Sequence, residues 1–257
     1  MKRNLTLNLF LAILITVLFT VFTPPGYSEE IKAEYDDFDD PFDDEKEVID
    51  NTYVIHTNIS DPLEPLNRGI FYFNDKVYLY LLIPVSKGYG AVLPKGLRRS
   101  FSNFFSNLSS SVRFASCLLQ GKFSEAGIEL KRFTINTTIG LLGFFDPATK
   151  KYKLSKQDED MGQTFGHYGI DEGFFLMLPF LGPSSARDSI GLIGNAYLHP
   201  ITYTHGFEEI VELKVFEVLN ETSMDPDGYK NLKKDMFDPY IAFRDGYVQL
   251  RRNKVKK

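Results

Sequence analysis

Along residues 56–252, apolar side chains recur at the 3.6-residue spacing of an α-helix, and Pro, Gly, Ser or Asn interrupt them every ten to twenty residues. That pattern predicts an all-α domain of amphipathic helices with little or no sheet. Ile70–Ile83 crowds apolar and aromatic residues and reads as a helix opening near Asn67 and closing at Pro84. Pro94 starts the next, with Leu97, Phe101, Phe104, Phe105 and Leu108 at helical spacing and Arg98 and Arg99 on another face. A break is expected at Asn107–Ser110, where Ser and Asn compete for backbone hydrogen bonds. A further helix carries Val112, Ala115, Leu118 and Leu119 up to Gly121, a C-cap candidate, and Ser124 is placed to cap the one after it. Residues 158–173, with four glycines, predict short turns, and Phe174–Leu178 an extended segment stopped by Pro179. Ser184 or Ser185 caps a helix towards Tyr197; Glu208–Leu219 and Asp238–Arg252 supply the last two, and residues 253–257 form a basic tail. No repeat is present.

The chain has 257 residues. Its first 28 read as a secretory signal: Lys2 and Arg3, an apolar run from Phe10 to Phe22, then Pro24-Pro25-Gly26. Cleavage after Ser28 leaves Gly26 and Ser28 as the small residues at −3 and −1. A retained inner-membrane anchor is the alternative, since Leu5–Phe22 is just long enough to span. Either way the body is exported. Residues 29–50 hold twelve acids against Lys32 and Lys46, a net −10, while the chain carries −5 overall and residues 51–257 carry +3. Residues 29–55 are therefore read as a disordered acidic tether, with docking of Phe38 and Phe42 on a basic partner as the alternative. The sole cysteine, Cys117, excludes an intramolecular disulfide. No later segment approaches the ~20 apolar residues that a spanning helix needs. Yet 23 Phe and 14 Tyr exceed what a core of roughly 200 residues requires, and amphipathic rings suit a membrane interface.

Catalytic and metal readings find little support. His167 lies near Asp160 and Asp171, and His199 and His205 flank a proline turn, but no pair has a metal-ligand spacing. No Gly-x-Ser-x-Gly elbow and no phosphate-cradling glycine loop is present, so no catalytic residue, metal or cofactor is assigned. A body at +3 with a short basic tail is weak for nucleic acid, and none is expected as a partner. Ile139–Phe145 has no polar side chain at all. Its Leu141, Leu142, Phe144 and Phe145 are the candidates for facing acyl chains.

Several stretches, in order over about residues 60–250, resemble the MlaA/VacJ family. They begin with Asp61-Pro62-Leu63-Glu64-Pro65-Leu66-Asn67-Arg68, Phe73-Asn74 and Asn103-Phe104-Phe105-Ser106-Asn107-Leu108. Next come Leu118-Leu119-Gln120-Gly121, then Arg132 to Gly140, Phe145-Asp146-Pro147-Ala148 and Gly162-Gln163-Thr164-Phe165-Gly166-His167-Tyr168-Gly169. Leu178-Pro179, Gly182-Pro183-Ser184, Arg187-Asp188 and Asp238-Pro239-Tyr240 complete the set. The resemblance implies a single ring- or disc-like helical body in the inner leaflet of the outer membrane, on its periplasmic face. It also implies a channel that takes phospholipids from the outer leaflet to a soluble periplasmic carrier, beside a trimeric porin. Asn67, Arg68, Phe73 and Asn74, in the entry motif and just after it, are the candidates for lining or gating that route. One departure is expected to matter: members of the family are usually lipoproteins, and no lipobox cysteine stands here, so retention falls to the body or to the porin.

Overall fold

The structure, a computed structural model, describes residues 57–256 apart from His205 and Asp235. The signal, the acidic tether with Phe38 and Phe42, His56, His205 and Lys257 lie outside the described residues. The chain order is α1 (Glu64–Val77), a π-turn (Tyr78–Leu82), α2 (Ile83–Val92), α3 (Lys95–Leu108), α4 (Ser110–Leu119) and α5 (Phe123–Thr138). Then come α6 (Pro147–Lys150), α7 (Met161–His167), β1 (Phe175–Leu178), β2 (Gly182–Ser185), α8 (Ala186–Leu198) and a 3-10 turn (Pro200–Tyr203). Three helices close the chain, α9 (Phe207–Met224), α10 (Gly228–Lys234) and α11 (Pro239–Val255). The body is helical with one two-stranded sheet.

Pro84 does not end the first helix. The backbone passes it through the π-turn, where the Ile83 N–H reaches back five residues to the Tyr78 carbonyl. Widening the register just ahead of Pro84 relieves the clash that its ring makes in a regular helix, and the axis continues into α2. Ser124 is not the cap of α5 either; that helix begins one residue earlier, at Phe123, after Lys122. Other boundaries fall where local chemistry puts them. Ser109 separates α3 from α4, and Gly121 follows α4 at φ +72°, a conformation that spares glycine the Cβ clash. Ser185 accepts the Asp188 N–H to cap α8, and Asp238 accepts the Ile241 N–H to cap α11. Of the basic tail expected at 253–257, Asn253, Lys254 and Val255 belong instead to the last turn of α11.

A small apolar core sits where the hairpin meets α1 and α11. Phe175, Met177, Tyr240, Val248 and Ile59 are buried there, with Ile70, Phe71, Ile241 and Tyr247 packed around them. β1 pairs antiparallel with β2, Phe175 opposite Ser185 and Leu178 opposite Gly182. Elsewhere α4 packs on α5, α7 on α8, and α9 on α2 and α3.

Burial runs against the usual rule. Among the described residues twenty-three buried side chains are polar or charged and only twelve are apolar, while thirty-four large apolar side chains are exposed. In a water-soluble domain the proportion is the other way round. α5 is the clearest case: Glu129, Arg132 and Asn136 point inward, and Phe123, Leu130 and Phe133 point outward. No helix among the described residues is long and apolar enough to cross a membrane.

Candidate functional site

α1 holds the hairpin by two asparagines placed two turns apart. The Asn67 amide donates to the Phe175 carbonyl (3.2 Å) and accepts the Met177 N–H (2.9 Å). Seven residues on, Asn74 donates to the Leu178 carbonyl (2.9 Å) and accepts the Phe180 N–H (2.8 Å). A side-chain amide offers a donor and an acceptor side by side, as a peptide group does, so the pair serves β1 as a partner strand would. Beside the second clasp, the Phe73 ring meets Phe180 edge-on, centroids 5.1 Å apart. Phe180 itself stands at φ +63°, a conformation costly for a bulky residue, and the tip projects Phe180 and Leu181, each about 70% exposed. Arg68 is not at the hairpin. It bonds Glu64 (2.8 Å) and Asp238 (2.9 Å) and lies over the Tyr240 ring, tying α1 to the start of α11. The structure thus brings Asn67, Phe73 and Asn74 together on one feature and gives Arg68 another.

A second feature is a small polar cleft between α3, α4 and α5, a cavity of about 10 Å³ with room for roughly one water molecule. Asn103, Ser106 and Asn107 line it from α3, Ser110 and Arg113 from α4, and Arg132, Asn136 and Asp146 from the far side. Its charges are balanced by buried pairs. Arg113 donates to Glu129 (2.8 Å), and Arg132 approaches Asp146 (3.4 Å). Burial pushes the Asp146 carboxyl up, but hydrogen bonds from Thr149 and Asn136 and the Arg132 charge outweigh it and hold it below the usual carboxylate range. Two buried atoms on the lining make no hydrogen bond, the Asn107 Oδ1 and the Arg132 Nε, the latter 3.7 Å from the Glu129 carboxylate.

The cleft is roofed by the apolar segment expected to face lipid. Leu141, Leu142 and Gly143 are consecutive left-handed residues, at φ +51°, +58° and +93°. Such backbone costs on the order of 1–3 kcal/mol for each non-glycine residue. The turn is held by the Leu142 N–H on the Thr137 carbonyl (2.9 Å) and the Gly143 N–H on the Asn136 carbonyl (2.8 Å). Gly143 has no substitute, because a Cβ there would lie 2.5 Å from the Asn107 side chain. Leu141, Leu142 and Phe145 are exposed, whereas Phe144 stacks on Phe104 (5.2 Å) and meets Phe101 edge-on (5.9 Å). Three of the four candidates thus face outward and one packs inward. Sequence reasoning did not single out Ser110, Arg113 or Glu129. Their signal was legible: Glu129, Arg132 and Asn136 repeat at helical spacing, as a buried stripe made of polar residues.

Among the described residues, His167 and His199 do not assemble a catalytic centre. His167 is exposed against Tyr168, while Asp160 is bound by Arg251 and Asp171 caps the Glu172 N–H. His199 is buried; its Nδ1 accepts the Ile201 N–H, and its Nε2 lies 3.1 Å from the Ser109 hydroxyl. The neutral ring therefore carries its proton on Nε2 and donates to Ser109, which in turn donates to the Phe105 carbonyl (3.1 Å). A serine so placed accepts a hydrogen bond from the ring, and the ring does not act on it as a base. Burial, helped by the Lys214 charge, lowers the His199 pKa from 6.5 to about 4. The unfolded chain binds this proton near pH 6.5 and the folded chain does not until about 4, so stability is full above 6.5 and falls as pH drops towards 4. The loss expected from that interval is about 3 kcal/mol. Urea midpoints between pH 7.5 and 4.5 measure it, and His199→Gln removes this part of the slope; an unchanged slope in the variant contradicts the assignment.

The family model described as MlaA lipoprotein matches residues 59–254. The chain is 31% identical over 195 residues to the intermembrane phospholipid transport system lipoprotein MlaA of Haemophilus influenzae, covering 74% of this chain and 77% of that one. To the Escherichia coli protein of the same description it is 32% identical over 195 residues, 74% of this chain and 76% of that one. A solved structure described as "Structural basis for maintenance of bacterial outer membrane lipid asymmetry" aligns with a TM-score of 0.68 at 31% identity, over 76% of this chain and 99% of the other.

Proposed function

The chain belongs to the MlaA family, and on that premise we propose that it transports phospholipid at the outer membrane, taking molecules from the outer leaflet and releasing them to a soluble periplasmic carrier. The observation that carries this reading is the inverted burial, with a polar interior and an apolar exterior. A disc of helices built so is stable in the acyl region of one leaflet, where apolar side chains lose nothing by facing outward and polar groups must satisfy one another inside. A phospholipid crossing it then keeps its headgroup on a polar path and its acyl chains in hydrocarbon, avoiding the cost of burying a charge alone. The polar side chains under the Leu141–Gly143 turn are the proposed lining of such a path, which must widen from its present volume of about 10 Å³ to admit a headgroup. A trimeric porin beside the disc is the proposed partner that helps hold it in the leaflet. The role is one of transport, not of catalysis.

The gate in this reading is the hairpin tip. Phe73 and Asn74 fix Phe180 in its left-handed conformation, and freeing them lets the tip swing from α1. Extraction of the protein in mild detergent and mass analysis of what remains bound tests the transport role. Phospholipid is expected to co-purify in about molar proportion. A chain extracted free of lipid, and recovered without detergent in the soluble fraction, points instead to a periplasmic scaffold with weak membrane contact.

A further inference from the structure

Directly after the strained turn and α6, the chain runs back along α5. It is pinned at three points, by the Ala148 N–H on Asn136 (3.1 Å), by the Leu154 carbonyl on Arg132, and by the Gln157 N–H on Glu129 (2.7 Å). All three anchors use the polar inner stripe of α5, so this strap is fixed to the same helix that presents Phe123, Leu130 and Phe133 outward. Residues 147–157 contain Lys150, Lys151, Lys153 and Lys156 and no acidic residue. All four lysines are exposed; the Lys156 charge helps hold the Asp158 carboxyl below its usual range, whereas Lys150, Lys151 and Lys153 have no such carboxylate neighbour among the described residues. Lys153 sits at φ +55°, and the Lys151 ammonium lies 5.6 Å from the Tyr152 ring centre, leaving Tyr152 itself exposed. The nearest acid in sequence, Asp158, is engaged by Lys254.

Four exposed lysines and a tyrosine that follow directly on the exposed Leu141, Leu142 and Phe145 are what a lipid interface selects: rings and leucines in the acyl region, ammonium groups at the phosphates. We propose that the strap at 150–156 is an anionic-headgroup docking site, by which the body prefers leaflets containing acidic phospholipid and orients Leu141, Leu142 and Phe145 into them. The proposal rests on the membrane placement given above and adds its charge preference. It commits to phospholipid headgroups, whose phosphates face the strap in the leaflet where the apolar side chains lie.

The experiment is flotation of the full chain, exchanged from detergent, with vesicles of pure phosphatidylcholine and with vesicles containing about 30% phosphatidylglycerol. Each lysine at a charged surface contributes about 1 kcal/mol, roughly a fivefold change in partition. The acidic vesicles are therefore expected to bind at least tenfold better at low salt, and 0.5 M salt should abolish the difference by screening. Lys150→Gln, Lys151→Gln, Lys153→Gln and Lys156→Gln together remove the preference and leave binding to phosphatidylcholine as it was. The same four positions changed to Arg retain the preference, and Lys230→Gln with Lys234→Gln, a charge change elsewhere, also retains it. A preference that survives in the four-glutamine variant, or one lost equally in the α10 control, overturns the site. Failure of every form to bind either vesicle contradicts the membrane placement itself, so the two failures are distinct.

Discussion

Replacing Leu141, Leu142 and Phe145 with serine is expected to release the protein from membranes while its helical circular dichroism stays unchanged. These three side chains are more than half exposed, so on the proposed placement their removal takes away more contact with lipid than with protein. A fully buried apolar side chain is worth about 1.5–3 kcal/mol, and three half-buried in acyl chains amount to a loss of a hundredfold or more in partition. Phe144→Ser is expected to behave differently. Its ring lies in a stack with Phe104 and Phe101, so the variant stays on the membrane but unfolds at lower denaturant, by about 2–4 kcal/mol. Flotation and urea titration of the two variants separate the roles. A triple variant that unfolds, or that remains fully bound, contradicts the assignment of this turn.

Glu129→Ala is expected to lower stability by about 3–5 kcal/mol, the cost of leaving a buried charge unpaired. Glu129 is fully buried, accepts the Arg113 Nε–H and the Gln157 N–H, and lies 3.7 Å from the Arg132 Nε. Without it Arg113 loses its counter-charge in a closed interior, Arg132 keeps only Asp146, and the lysine strap loses one of its anchors. Glu212→Ala, on the exposed side of α9, changes stability by less than about 0.5 kcal/mol. Denaturant midpoints in detergent compare the two. Equal midpoints would mean that the polar interior contributes nothing to the fold.

How much of this was legible in the sequence follows from which physics is local. The longer helices, the break expected within Asn107–Ser110, the turn at Gly121 and the cap expected at Ser184 or Ser185 are set by residues within four positions of each other and read directly, whereas the helices at Met161–His167, where short turns were expected, and Gly228–Lys234 did not. The path past Pro84 did not, because a proline's effect depends on whether the preceding turn can widen, and tertiary packing decides that. β2 was illegible for another reason: Gly-Pro-Ser-Ser has no strand propensity and is extended only because β1 needs a partner on that edge. In the candidate site, Asn67, Phe73 and Asn74 stood out by their motif, yet only the fold shows that the two amides clasp one hairpin. The cleft was missed because an apolar stripe is by default core. Glu129, Arg132 and Asn136 reverse that default, and periodicity fixes a helix's faces without saying which one turns inward.

The central claim, that this protein moves phospholipid out of the outer leaflet, is tested most directly by the amount of phospholipid exposed on the cell surface. Cells lacking the gene are expected to show more of it than the parent, and the native chain to restore the parental level. Deleting Phe73 and Asn74, which frees the hairpin tip, is expected to raise surface phospholipid above that of the cells lacking the gene. Surface phospholipid that is the same with and without the gene contradicts the account.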